Sequence, residues 1–363
     1  MDGFKPYITG DGSVGLYSDE FNDIYHSGYG ALSEAYEKFV FPVEIKKDNL
    51  NVLDVCFGLG YNSKAFLNYY GKNKKINFDC LDINKNLFFL SPFIKTNHKL
   101  KDYFRKDKND SKYVRLGKYK KYKIEDWVNQ ILIKNLYQEF GDDFLVKNFL
   151  GEKKFRPFFE PRIIKFDKFY QKRGYKTTKT QNKPAFLHNI YYQYLSKRYK
   201  YLFSNDIKFN FYIDDARKTV KTLDKEYDVI FLDAFTTNKC PQLWSLDFIK
   251  ELYRLTAPEG VLLTYSNSVL VRNTMIESGY FTGKIINEDN KQIGTICSKS
   301  KSKIKYHLDD YETGLLKTRA GIPYRDENLS QTSSVIIHNR ELEVENSNLI
   351  SSSRYIKNKG VLK

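Results

Sequence analysis

Val52-Leu53-Asp54-Val55-Cys56-Phe57-Gly58-Leu59-Gly60-Tyr61-Asn62 begins as an apolar run and breaks off into glycines. A second run, Val229-Ile230-Phe231-Leu232-Asp233-Ala234-Phe235, breaks off at a carboxylate. Both read as strands buried on two faces, whose C-terminal ends open into a site. The chain around them alternates. Strands are expected at 51–55, 76–83, 209–213, 227–232 and 260–265. Helices are expected at 61–70, 86–98, 185–199, 216–223, 245–255 and 269–278. Such βαβα order implies a mostly parallel sheet covered by helices, with ligands at the carboxyl ends of its strands. Ahead of it, residues 1–45 suggest a small hairpin turning at Gly10-Asp11-Gly12 and a helix near 31–39.

The chain has 363 residues and a formal charge of +16. The segment 99–184 holds 24 Lys and Arg against 11 Asp and Glu, so +13 of that charge lies there. A local excess of this size points to a polyanion as partner. A lysine-rich composition throughout the chain is the competing explanation. The segment interrupts the alternation, with a helical piece at 125–140 and an aromatic-basic run at 153–159. No run of about 18 apolar residues exists, so no membrane-spanning helix is expected. The opening residues lack the apolar core of a secretory signal. Cys56, Cys80, Cys240 and Cys297 lie far apart, as reduced thiols in a cytoplasmic protein would. The five histidines show no metal-ligand spacing.

Gly58 and Gly60 follow a strand and open a helix, where the backbone can approach a ligand and free N–H groups face it. Asp82, at the end of the next strand, is placed to accept hydrogen bonds from ribose hydroxyls. These features fit a nicotinamide dinucleotide as well as S-adenosylmethionine. Ser63 stands where the dinucleotide pattern has its third glycine, and Asp54 suits the ammonium of a methionine moiety, so the methyl donor is favoured. Asp214-Asp215-Ala216 ends another strand, where methyltransferases of this fold often hold the adenine amino group. A helix N-cap is the plainer role for either aspartate alone.

Downstream of Asp233 comes Thr236-Thr237-Asn238-Lys239-Cys240-Pro241-Gln242-Leu243-Trp244. Then follow Arg254-Leu255, Pro258-Glu259-Gly260, Thr264-Tyr265-Ser266 and Val271-Arg272. With Tyr17-Ser18, Glu20–Ser27, Gly30-Ala31-Leu32 and Gly321–Asp326, this ordered set resembles the methyltransferase domain of the bacterial tRNA 5-methylaminomethyl-2-thiouridine synthesis enzymes, the MnmC type. The resemblance covers about 16–98 and 185–330. It departs at Cys56, where the family usually has glycine, and in the length of the basic segment. The resemblance implies a class I, Rossmann-like S-adenosylmethionine-dependent enzyme. It would methylate the aminomethyl group of 5-aminomethyl-(2-thio)uridine at the wobble position of a tRNA anticodon loop.

By the same resemblance, Asp54, Gly58, Gly60, Asn62, Asp82, Asp215, Ala216, Asp233 and Tyr25 would bind the cofactor. Asp233 and Phe235 would serve catalysis. Lys239, Trp244, Tyr265 and Arg272 would meet the RNA, with Arg254 near the same opening. Core packing is the alternative for Phe235 and Trp244. Carboxylates titrate at about 4 and alkylamines at about 10, so Asp233 would orient the amine rather than deprotonate it at equilibrium. Aromatic and basic groups at 188–198 offer a weaker RNA face. The chain stops where two-domain members continue into an FAD-dependent oxidase, so a separate enzyme would supply the aminomethyl substrate.

The expected organisation is an N-terminal extension over 1–45 and a core over 46–98 and 185–300. A basic insertion fills 99–184, and 301–363 form a C-terminal extension ending in a polar, partly disordered tail. Three competing functions keep the fold. They are a small-molecule amine methyl or aminopropyl transferase like the spermidine synthases, a nucleotide-dependent oxidoreductase, and an RNA-binding protein with a degenerate cofactor fold. The charge balance and the Asp233–Trp244 string weigh against the first two. The intact aspartates weigh against the third.

Overall fold

The computed structural model describes residues 3–26, 28–94, 122–140 and 206–358. A three-stranded antiparallel sheet is made of β1 (Phe4–Ile8), β2 (Val14–Ser18) and β3 (Asp23–Ile24). The expected hairpin is therefore present and gains a third strand. Asp11 organises its turn: one carboxylate oxygen accepts Ser13 N–H at 2.9 Å and the other accepts Ser33 N–H at 2.7 Å. The helix α1 (Ala31–Glu34) runs into a π-helical stretch, Ala35–Val40, rather than continuing as one α-helix to 39.

A seven-stranded sheet follows, in the order β6-β5-β4-β7-β8-β10-β9. Its strands are β4 (Asn49–Val55), β5 (Lys75–Asp82), β6 (Ile207–Ile213), β7 (Tyr227–Leu232), β8 (Thr256–Thr264), β9 (Phe281–Ile286) and β10 (Gln292–Ser298). β4 pairs with β7, and β7 with β8, in parallel. Val52, Leu53, Val229, Ile230, Phe231, Leu262 and Leu263 are all fully buried, as strands covered on both faces require. β9 and β10 add an antiparallel hairpin at the edge that the apolar pattern does not announce. Its strands are interrupted by Gly283 and Gly294, and Asn290 takes a left-handed φ of 58° in its turn.

Helices connect the strands: α2 (Tyr61–Tyr70), α3 (Lys85–Leu90), α4 (Asp126–Phe140), α5 (Ala216–Thr222), α6 (Leu246–Leu255) and α7 (Val269–Glu277). α6 shows why. Ser245 caps it by accepting Phe248 N–H at 3.2 Å, and Leu246, Ile249, Leu252 and Leu255 bury one stripe of helical spacing. α3 is shorter than expected and ends in a 3-10 turn at Ser91–Phe93; 95–98 lie outside the described residues. So do the helix at 185–199, the runs at 153–159 and 188–198, and most of the basic segment.

The C-terminal region corrects the reading of a partly disordered tail. It forms α8 (Asp310–Leu316), α9 (Ser333–Asn346) and α10 (Ser352–Asn358). α8 begins with a capping box between Asp309 and Glu312. α9 has few apolar residues but is held by fully buried Ile336 and by Arg340, whose guanidinium lies over the Tyr324 ring at 5.2 Å.

Two compact units emerge from the contacts: Met1–Tyr36 with Phe57–Phe78 and Asn84–Phe211, and Glu37–Cys56 with Asp79–Ile83 and Tyr212–Lys363. All four cysteines are free thiols. Among the described residues no helix is long and apolar enough to cross a membrane.

Candidate active site

The second unit carries the strand ends. The register pairs Val55 with Leu232 and Leu232 with Thr264, so the chain leaves the sheet at one level at Cys56, Asp233 and Tyr265. Asp233 N–H donates to Val55 O at 3.3 Å, which ties its backbone to the end of β4. Cys56 N–H donates to Leu81 O at 3.0 Å, which brings the end of β5 alongside. Asp54 and Asp82 are buried; Asp233 is half-buried.

The Cys56 thiol senses this arrangement. Burial pushes its pKa well above the ordinary range, and the charges of Asp82, Cys240, Asp233 and Asp54 push it further. Three carboxylates thus lie near one another at the ends of neighbouring strands. Such a place favours a cation. Cys56 also has φ 68°, the left-handed region where L side chains are strained. The turn asks for the glycine that the family pattern has there.

Phe235 and Tyr265 are held from behind. Trp244 Nε1–H donates to Phe235 O at 2.8 Å, and Tyr265 O–H donates to Ala234 O at 3.0 Å. The Trp244 and Tyr265 rings meet edge to face at 6.1 Å. Trp244 is 1 % exposed, so the structure gives it the packing role. It supports the Asp233–Phe235 turn and offers no open ring face for a base. Lys38, on the π-helical stretch, stands over the Tyr265 ring at 6.0 Å.

Arg272 is also buried. Its Nε donates to Thr295 Oγ1 and its Nη1 to Glu312 Oε1, both at 3.1 Å, and burial lowers its pKa. It therefore holds α7 to β10 and α8 rather than facing a phosphate. Arg254 similarly donates to Leu223 O and Val220 O at 3.0 and 2.8 Å, closing the end of α5. Lys239 is exposed at the turn that follows Asp233.

Asp215 is the N-cap of α5, accepting Arg217 N–H at 2.9 Å, and it receives the Arg217 guanidinium at 2.7 Å. These bonds hold its carboxyl below the usual range against the opposing effect of burial. The capping role is thus met, and Ala216 begins the helix beside it. Asp214 is exposed and pairs with Lys218 at 3.5 Å. Ile83, directly after Asp82, is 68 % exposed. The strand pattern over 76–83 does not show that this side chain is exposed.

The first unit carries the glycine loop. Gly58 and Gly60 have φ 56° and 68°, and a Cβ on Gly60 would stand 2.2 Å from the Phe57 ring. Gly60 precedes α2, and no side chain caps that helix. Asn62 is buried in its first turn. Tyr25 N–H donates to Leu16 O at 2.8 Å, and its ring meets Phe4 at 5.9 Å.

Left-handed glycines before a helix in the first unit, and carboxylates at the ends of adjoining parallel strands in the second, are each marks of a class I nucleotide-cofactor fold. These residues fit S-adenosylmethionine, whose sulfonium and ammonium are both cationic.

The comparisons agree. Residues 179–299 match the family described as S-adenosyl-L-methionine-dependent methyltransferase. The match places an S-adenosylmethionine-dependent methyltransferase domain within the chain. It is 26% identical over 359 residues to an uncharacterised protein of Methanocaldococcus jannaschii, covering 98% of this chain and 77% of that one. Over 68 residues it is 38% identical to the tRNA 5-methylaminomethyl-2-thiouridine biosynthesis bifunctional protein MnmC of Pseudomonas paraeruginosa. That match spans 19% of this chain and 10% of the bifunctional protein. The crystal structure of MNMC2 from Aquifex aeolicus superimposes with a TM-score of 0.61 at 19% identity, covering 96% of this chain and 87% of that one. The fold is the expected one, and the resemblance to the MnmC-type methyltransferases holds.

Proposed function

We propose that this methyltransferase acts on tRNA in the cytoplasm and methylates the aminomethyl group of 5-aminomethyl-(2-thio)uridine at the wobble position. The single observation behind the reading is that Asp54, Asp82 and Asp233 stand at the ends of the neighbouring strands β4, β5 and β7, next to a turn whose Phe235 is fixed by Trp244. A cationic acceptor amine and a cationic methyl donor both suit that field. The MnmC match supports tRNA as the substrate.

When bound, S-adenosylmethionine supplies an electrophilic methyl on sulfur. The chain does the rest. Asp54 and Asp82 would hold the donor's cationic groups, and Gly58, Gly60 and Asn62, at the start of α2, would bind it through the glycine loop. Asp233 orients the acceptor and accepts an N–H as positive charge develops on nitrogen. Phe235 and Tyr265 exclude water, which favours loss of a proton from the amine before attack. An anticodon-loop base can leave its stack at modest cost. Lys239 and the basic segment 99–184 meet the phosphates. A separate enzyme supplies the aminomethyl group.

The test uses labelled S-adenosylmethionine and bulk tRNA from cells that cannot complete this modification. Label recovered in 5-methylaminomethyl-(thio)uridine is the expected result. Asp233→Ala should bind cofactor and lose turnover. Label entering only small amines would overturn the tRNA reading and favour the spermidine-synthase-like alternative.

A further inference from the structure

The turn at Tyr324–Gln331 is stitched to two helices of its own unit. Leu246 N–H donates to Tyr324 O at 2.9 Å. Asp247 accepts Arg325 Nε and Nη2 at 3.1 Å each and Asp326 N–H at 2.7 Å. The turn thereby becomes a rigid extension of the start of α6. On its other side it reaches α5: Lys221 Nζ donates to Asn328 O at 2.8 Å.

Asp326 is the hinge of this arrangement. Its carboxylate is fully buried. One oxygen accepts Ser330 N–H and Gln331 N–H at 2.9 and 3.0 Å; the other accepts Arg217 Nη1 at 2.8 Å. Arg217 also donates Nη1 to Gln331 O at 2.9 Å. The rest of the same guanidinium grips Asp215, with Nε 3.1 Å from both carboxylate oxygens and Nη2 2.7 Å from Oδ2. One planar cation therefore joins a buried carboxylate of the C-terminal turn to the carboxylate at the end of β6. A fork of this kind fixes both distance and orientation. An N-cap alone would need neither Arg217 nor Asp326.

We infer that Asp326 is a positioning residue for the cofactor: acting through Arg217, it holds the Asp214–Ala216 turn in the conformation that receives the adenosine end. This rests on the assignment of Asp215 to that end. It gives the Gly321–Asp326 signature a task in cofactor affinity.

The experiment measures binding of S-adenosylhomocysteine by calorimetry, and steady-state kinetics with tRNA, for Asp326→Asn, Arg217→Lys, Asp215→Ala and the Asp215→Ala/Asp326→Asn double variant. Asparagine keeps an acceptor for Ser330 and Gln331 but turns an amide toward Arg217. The expected result for Asp326→Asn is about tenfold weaker binding, the scale of one charge-assisted hydrogen bond. The KM for S-adenosylmethionine should rise with it, while kcat at saturation and the KM for tRNA stay unchanged. Because the two aspartates act as one unit, the double variant should bind no more weakly than Asp215→Ala. Arg217→Lys, which keeps the charge but not the fork, should behave like Asp326→Asn and decides the matter if Asp326→Asn does not fold. Wild-type affinity in Asp326→Asn and Arg217→Lys, with weakened Asp215→Ala, would overturn the inference alone. Wild-type affinity in Asp215→Ala would overturn the assignment of Asp215 and the inference together. A lowered melting temperature with unchanged affinity would reduce Asp326 to a scaffold residue and also overturn it.

Discussion

Replacing Trp244 by phenylalanine separates two roles that the residue type leaves open. The indole N–H donates to Phe235 O at 2.8 Å from a side chain 1 % exposed. Losing the donor leaves a part-buried carbonyl short of a partner, at a cost of about 1–2 kcal/mol. Removing the second ring leaves roughly 40 Å3, worth about 1 kcal/mol at ~24 cal/mol per Å3 of cavity. The expected destabilisation is therefore about 2–3 kcal/mol in urea unfolding. Phe235 loses its anchor and Tyr265 its edge-on neighbour, so kcat should fall as well. The KM for tRNA should not change. A ring that stacked on a base would contribute about 1–3 kcal/mol to RNA affinity, and phenylalanine would keep part of that. Unchanged stability together with RNA binding weakened tenfold or more would refute the packing argument.

Arg272→Met should lower stability by about 2–3 kcal/mol, below the full penalty for breaking a buried pair because Lys284 still holds Glu312 at 2.7 Å. Its KM for tRNA should stay at the wild-type value; a rise without loss of stability would return Arg272 to the RNA surface. His26 packs edge-on against Tyr61, and burial pulls its pKa from 6.5 down to about 4. Its neutral form is favoured in the fold, so its contribution to stability is complete above pH 6.5 and is lost as the pH falls toward 4. His26→Gln should flatten that acid limb in denaturant titrations across pH, and an unchanged limb would count against it. Lys239→Glu should weaken tRNA binding and lessen its salt dependence by about one ion. Binding of S-adenosylhomocysteine should be unaffected, and equal salt slopes for tRNA would remove Lys239 from the interface.

The strand Tyr227–Leu232 and the helix Tyr61–Tyr70 fall where their residue patterns place them, because a run buried on both faces and its break are local properties. The same locality makes Asp82 and Asp233 legible as strand ends. The surroundings of Trp244 and Arg272 are not legible for the complementary reason. Residue type and order do not say which way a side chain turns, and the partners that decide it, Phe235 O, Thr295 and Glu312, are set by tertiary packing. The β9–β10 hairpin is not legible in the sequence because an edge pair broken by Gly283 and Gly294 carries a weak alternation. α9 is not legible because a helix anchored by Ile336 and one stacked arginine needs little apolar content. The link from Asp326 through Arg217 to Asp215 joins residues more than a hundred positions apart, beyond any motif.

β5 and β6 are sheet neighbours, yet more than a hundred residues lie between Asp82 and Ile207. Closing so long a span is an entropic debt of modest size, since each doubling adds about 0.6 kcal/mol. Its larger effect is on timing. During synthesis β4 and β5 leave the ribosome well before β6 and β7 and wait, with strand edges uncovered, until the chain beyond residue 206 has emerged. Non-local parallel pairing is slow to form, so the nascent protein passes through a period in which aggregation competes with folding. A chain ending anywhere in that span would remain there, whatever the quality of its cofactor loop.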